Sequence, residues 1–318
     1  MKVKAANSIL RIRQPSAEQF LESWKKYQPF IIEDVATHWD ACEYWSNEYL
    51  AKKCGNNIVP IFVYEENFLD TPDIFATPEG YKKRIKIKYK EYVDEVENAV
   101  NHNIDLRYYL SQALFELSFS EIITDVTYPK YFDREPLVNF WHGLSSKSFS
   151  ATTPLHFDAF HNLFAQIRGI KKIILVPPLD YLSLYPSLEP GGLPDFSTVD
   201  PSIPNFELFP KFPWDEKIEV ELQPGEMLYI PPYWWHHVTA LTENISLSFF
   251  YDLKTKDYLR QKGMLSTWLG FVPHYLRHSL SSPQALRNVI TSIKSQILPV
   301  SHSELVKQEF EKVLDPDE

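Results

Sequence analysis

Two short stretches, far apart in the chain, hold the residues best suited to chemistry. In PLHFDAF, His156 and Asp158 stand two apart, so on an extended strand both side chains project from one face. Much later, GEMLYIPPYWWHHV ends in adjacent histidines, His236 and His237. Neighbours on an extended chain face opposite ways, so only one of these can join the first pair. Two imidazoles and one carboxylate on a common face form the ligand set that holds Fe(II) and leaves positions open for a cosubstrate and O2. Taken singly, each stretch has an ordinary explanation. Most His-x-Asp pairs are merely solvated, and a Trp-Trp-His-His run also suits an aromatic core with a hydrogen-bonded histidine. Joined, they supply a complete triad.

A third stretch adds a cation. KKIILVPP opens with Lys171 and Lys172, shortly after Asp158. A 2-oxoglutarate chelating iron through its keto-acid end presents a distal carboxylate, which needs a cation and hydrogen-bond donors in a dry pocket. Alternation groups Lys171 with Ile173 and Leu175, and Lys172 with Ile174 and Val176, and leaves open which lysine points inward. His142 and His161 read as hydrogen-bonded structural residues, and Trp141, Trp234 and Trp235 as core or pocket wall.

These residues need elements to hold them. SAEQFLESWKKYQ (16–28) reads as a helix capped by Ser16, and WSNEYLAKKCG (45–55) as another capped by Ser46 and stopped at Gly55. PFIIEDV (29–35) and IVPIFVYE (58–65) read as strands. KKRIKIKYK (82–90) reads as an edge strand guarded by its lysines. Tyr92 to Leu117 is mostly helical in pattern. From about residue 137, short apolar runs alternate with Pro, Ser, Gly and Asp turns, as in a sandwich or barrel. After Asp252 the pattern is helical again, around 255–270, 283–298 and 303–314. The expected division is therefore 1–252, with a barrel core at about 137–252, followed by a helical region at 253–318.

Composition narrows the function. Among 318 residues there are 9 glycines and no GxGxxG or GxxxxGK[ST], which sets aside nucleotide-binding loops of those types. Cys42 and Cys54 are too few for a disulfide framework or a thiolate zinc site. The net charge of −10 argues against a protein that coats nucleic acid. There is no signal-peptide h-region and no apolar run of the ~18–20 residues a membrane span needs. The expectation is a soluble protein of the cytoplasm, or of the nucleus in a eukaryote, with no membrane partner.

The set TTPLHFDAFHNLFAQIRGIKKIILVPP with GEMLYIPPYWWHHV resembles the JmjC or cupin-8 group of Fe(II)/2-oxoglutarate oxygenases. Within it the chain is most similar to the small JmjC-only hydroxylases, of the type of the asparaginyl hydroxylase that inhibits hypoxia-inducible factor. The likeness covers about residues 18–252, more weakly through PFIIEDVATHWDACEYWSNEYL. It implies a mainly β fold with α. A double-stranded β-helix, a jelly-roll of cupin type, would be flanked by N-terminal helices and strands and a C-terminal helical region. It also implies that His156, Asp158 and His236 bind Fe(II), since the family uses the histidine directly after the tryptophan. Lys171 and Thr153 would meet the distal carboxylate of 2-oxoglutarate, and Asn162 and Phe164 would line its pocket. Tyr109 would reach the cosubstrate from a preceding helix, with Tyr108 as its rival. Ser248 and Phe250 stand near positions where some relatives carry Asn and Trp.

The implied activity is hydroxylation of a protein side chain, with O2 consumed and succinate and CO2 released. Two other readings stand beside it: a tRNA-modifying oxygenase using the same cofactors, and a cupin-like metal-binding scaffold without catalysis. The apolar residues of the C-terminal helices, among them Trp268, Leu269 and Phe271, could simply pack on the barrel; the resemblance implies a homodimer contact through these helices.

Overall fold

The structure, a computed structural model, describes residues 8–64, 84–132, 135–146, 149–188, 193–253 and 264–279. Strand β1 (Leu10–Arg13) leads into helix α1 (Ala17–Trp24). As the sequence suggests, Ser16 caps this helix. Its hydroxyl accepts from the Gln19 backbone N–H while the Gln19 side chain accepts from the Ser16 N–H, which satisfies two of the donors a helix start leaves unpaired. Strand β2 (Phe30–Glu33), helices α2 (Asp40–Tyr44) and α3 (Asn47–Cys54, capped by Ser46), and strand β3 (Ile58–Val63) follow. Among the described residues, strand β4 (Arg84–Lys88) pairs with β3 alone and ends its sheet, as expected of a lysine-guarded edge.

The expected helix over Tyr92–Leu117 is corrected. Helix α4 (Tyr89–His102) ends where Asn103 turns left-handed, at a φ of 52°. Tyr108–Leu114 is then strand β5, and Phe115–Ser118 is a single-turn helix, α5. Pairing with its neighbours on both sides decides the matter, because β5 hydrogen-bonds to β3 and to the next strand. Local helix preference is a weak prior against such tertiary pairing.

Eight strands then build the barrel: β6 (Leu137–Gly143), β7 (Thr152–Phe157), β8 (His161–Arg168), β9 (Lys171–Val176), β10 (Ile218–Leu222), β11 (Met227–Ile230), β12 (Trp235–Ala240) and β13 (Asn244–Tyr251). They divide between two sheets. One runs β1-β2-β11-β8-β13-β6-β5-β3-β4, the other β10-β9-β12-β7. Successive barrel strands cross from sheet to sheet except at β9–β10, which is the jelly-roll arrangement of a double-stranded β-helix. The N-terminal strands thus extend the large sheet at both ends and are continuous with the core.

Three apolar layers result. Phe164, Ile173, Leu175, Leu228, Ile230 and Val238 fill the space between the sheets. The outer face of the large sheet, with Leu163, Tyr229 and Phe249, packs on the N-terminal helices through Phe20, Trp45 and Val93. The outer face of the small sheet, with Phe157, Val176 and Trp235, is covered by the segment between β9 and β10 through Tyr181, Val199 and Trp214. Strands buried on both faces lose the simple apolar–polar alternation, so their runs read as continuously apolar. Of the run 255–270, the described part is helical from Met264 and continues to Ser279 as helix α6, across Pro273. Its Phe271 meets the ring of Phe157 edge-on at 5.3 Å. The runs 283–298 and 303–314, and with them much of the expected dimer contact, lie outside the described residues. No helix among the described residues is long and apolar enough to cross a membrane.

Candidate active site

Strand β12 lies between β7 and β9, and His236 pairs directly with His156 across the ladder. Their rings stand 4.1 Å apart, centroid to centroid. Asp158, two beyond His156, completes the group: one ligand atom from each residue lies within 4.8 Å of the others. A single ion can touch all three at that spacing. His237 faces the other way, as parity requires, with its Nε2 3.9 Å from Asp200 and its ring under the outer covering segment.

The backbone also sets the tautomers. The Nδ1–H of His156 donates to the Pro154 carbonyl at 2.8 Å, and that of His236 to the Trp234 carbonyl at 3.0 Å. Each bond leaves an Nε2 lone pair for a metal, the role such outer bonds play in metal sites. Burial, reinforced by the neighbouring His236, pushes the His156 pKa down to about 4, so the ring is neutral and ligand-ready at ordinary pH. Burial would raise the Asp158 carboxyl, but His236 and His156 outweigh it and hold it below the usual range. The His236 Nε2 stands 3.5 Å from Asp158 Oδ2, so the two ligand atoms face a common point. The donor set fits Fe(II).

The triad sits in the wall of a cavity of about 380 Å³, part of it open to solvent, between the two sheets. All nine sequence-predicted residues line it: His156, Asp158, His236, Lys171, Thr153, Asn162, Tyr109, Phe164 and Ser248. Lys171 is the inward lysine, 1% exposed, whereas Lys172 pairs outside with Glu219. The rings of Phe164, Trp141 and Tyr109 surround the Lys171 Nζ at 4.9, 5.6 and 5.9 Å, and Nζ donates to the Tyr109 hydroxyl at 3.5 Å. Among the described residues no carboxylate pairs with it, and burial alone lowers its pKa to about 7. Thr153 hydrogen-bonds the same Tyr109 hydroxyl. Tyr109 reaches the cavity from strand β5, not from the expected helix, while Tyr108 packs toward the outer core. The Asn162 side-chain oxygen is buried with no hydrogen-bond partner. Ser248 accepts from the Trp141 indole N–H at 2.9 Å and so fixes that wall.

Simple alternation would put Thr153 and His156, three apart, on opposite faces. The ladder slips between them: His236 pairs with His156 but Val238 pairs with Thr153. This bulge turns both toward the cavity. The expected structural histidines behave as such. His142 bonds Tyr89 and Glu243, and His161 bonds Tyr229, all behind the large sheet. Gln112, Ile230 and Val238 also line the cavity. Parity with His236 could have found Val238, but nothing in the sequence marks Gln112.

A family profile described as a cupin-like domain matches residues 16–257. JmjC domain-containing protein D of Dictyostelium discoideum is 30% identical over 257 residues, which are 74% of this chain and 54% of that one. The chain belongs to the cupin-like JmjC family. That family is one of Fe(II)/2-oxoglutarate oxygenases. The chain is also similar to tRNA wybutosine-synthesizing protein 5 of Danio rerio, 27% identical over 214 residues, covering 65% of this chain and 64% of that one. Bifunctional peptidase and (3S)-lysyl hydroxylase JMJD7 of Homo sapiens is 24% identical over 270 residues, covering 76% and 83%. The JmjC chain spans about half the length of the Dictyostelium protein.

Proposed function

We propose that the protein is an Fe(II)- and 2-oxoglutarate-dependent dioxygenase that hydroxylates a side chain of a protein substrate. Lys171 carries the reading. A buried ammonium ringed by aromatics, with no carboxylate of its own, is costly unless an anion joins it. A metal-binding scaffold has no need of such a group. Fe(II) with 2-oxoglutarate and O2 supplies the oxidising chemistry, with succinate and CO2 released.

The chain's residues then have distinct tasks. His156, Asp158 and His236 hold the metal on one side. Lys171 pairs with the distal carboxylate, and the Thr153 and Tyr109 hydroxyls can donate to it. Burial pushes the Tyr109 phenol well up, so it keeps its proton and remains a donor. Asn162 offers an unsatisfied acceptor to a ligand donor. Phe164, Trp141 and Ile230 exclude water. The protein-substrate reading draws on JMJD7, whose name includes lysyl hydroxylase; the tRNA reading draws on the wybutosine-synthesizing relative.

The test is direct. Anaerobic protein with Fe(II) and 2-oxoglutarate should show a visible charge-transfer band, and should form succinate in air. His156→Ala should abolish both. Neither band nor succinate from the unaltered protein would favour the scaffold. Mass spectrometry of candidate proteins and tRNA for gain of one oxygen atom decides between the substrate classes.

A further inference from the structure

Gln112 is out of place in two ways. Its φ is 54°, in the left-handed region that residues other than glycine seldom adopt. It also sits where β5 holds one residue too many: Leu110 pairs with His142, but Ala113 pairs with Phe140. Three steps on β5 oppose two on β6, which is a bulge. Tyr109 and Gln112 are three apart and would face opposite sides of a regular strand, yet both line the cavity. The bulge turns Gln112 in, and its side chain is exposed while its neighbours Ser111 and Ala113 are buried. Backbone strain held at a cavity mouth marks a side chain aimed on purpose.

Phe250 lines the same cavity from β13, two strands away. Its ring meets that of Phe160 edge-on at 6.0 Å, and Phe160 is 43% exposed. The mouth therefore offers a carboxamide from one strand and an apolar edge from another. Neighbouring strands are about 4.8 Å apart. Ala113 pairs with Phe140 whereas Phe250 pairs with Leu137, so Gln112 and Phe250 also lie about three residues apart along the strands. Together this gives a separation of roughly 15 Å, about four to five residues of extended peptide. A carboxamide presents donors and an acceptor together, which match the C=O and N–H of a peptide main chain. Lys171, deep and ringed by aromatics, is the cavity's one cation among the lining residues. A single deep cation offers no row of positive charges to a phosphate backbone, so a polyanion is disfavoured.

We propose that Gln112 grips the main chain of an extended peptide substrate at the cavity mouth, with Phe160 as the seat for one of its apolar side chains. This deepens the protein-hydroxylase reading and rests on it. The test uses the full chain with Fe(II), 2-oxoglutarate and O2, a positional-scanning peptide library and a set of RNA oligonucleotides. Peptides should gain one oxygen atom, with an apolar preference at one position that Phe160→Ala weakens. Gln112→Ala should raise the peptide KM roughly tenfold, the scale of a lost main-chain hydrogen bond. Gln112→Gly should raise it equally while Tm stays level or rises, because glycine accepts the left-handed backbone. A merely structural Gln112 would instead give a normal KM in the glycine variant, which would overturn the proposal. So would an unchanged KM in Gln112→Ala, or oxygen gained by RNA and by no peptide; in those cases the oxygenase reading stands. Absence of the charge-transfer band in the unaltered protein takes both readings down together.

Discussion

At the scale of single residues, Lys171 has the sharpest consequences. Only its protonated form attracts a carboxylate, and burial lowers its pKa to about 7. Affinity for 2-oxoglutarate should therefore be level below pH 7 and fall by about tenfold per unit well above it. Isothermal titration of the metal-loaded protein across pH 6 to 9 (approximate limits that bracket the pKa) checks this, and Lys171→Ala should lose both the affinity and the slope. Stability moves the other way. A lysine whose pKa is lowered by folding costs the fold most below pH 7. The cost is relieved as pH rises toward the unfolded value of about 10.4. Ligand-free Tm should thus rise from pH 7 to 9 more in the native chain than in Lys171→Met (again approximate limits). His237 makes a second contrast. Facing outward beneath its covering segment, it should leave metal affinity largely intact on change to Ala, whereas His236→Ala should remove metal binding in a chelator competition.

At the scale of elements, strand positions set the cavity's floor. Gly143 on β6 lies against Tyr109: a Cβ there would come 2.9 Å from the Tyr109 ring and 3.0 Å from the Ala151 Cβ. Gly143→Ala must push that ring, and with it the hydroxyl shared by Lys171 and Thr153. Overpacking of this kind costs about 1–3 kcal/mol. The expected outcome is a moderate drop in Tm with a larger loss of 2-oxoglutarate affinity, measured side by side. Ser16, far from the cavity, is the comparison. Its N-cap role was legible in SAEQF, and Ser16→Ala should cost about 1 kcal/mol by denaturant unfolding without changing affinity.

At the scale of the whole molecule, the N-terminal region and the barrel are one body. Strand β2 pairs with β11, and β5 pairs with β6. Arg168 on β8 bonds the Trp45 carbonyl and the Asn47 side chain, and also pairs with Glu243, which accepts from buried His142. Burial would raise the Glu243 carboxyl, but His142 and Arg168 outweigh it and bring it down to about 2. A lowered carboxyl stabilises above its unfolded pKa of about 4.3 and loses that contribution as pH falls toward 2. Glu243→Gln should therefore flatten the acid limb of a Tm-against-pH curve. A chain cut to residues 137–253 would bare the edges of β11 and β6 and much of the large sheet's outer face. It should fail to fold cooperatively in circular dichroism and should aggregate.

Much of the site was readable in advance because its information is local. Residue types name the ligand set, and a period of two puts His156 with Asp158 and sets His236 against His237. The alternating runs after residue 137 announce the barrel. The choice between Lys171 and Lys172 was not local, since both parities fit the sequence and only a second sheet closing over β9 defines an inside. Tyr109 lay in a helical-looking stretch until β3 and β6 claimed its backbone hydrogen bonds. The bulges that turn Thr153 and Gln112 inward exist only relative to partner strands, because an extra residue is extra only when another strand counts past it. The chain by itself thus determined what chemistry could be done, and tertiary pairing decided which side chains face it.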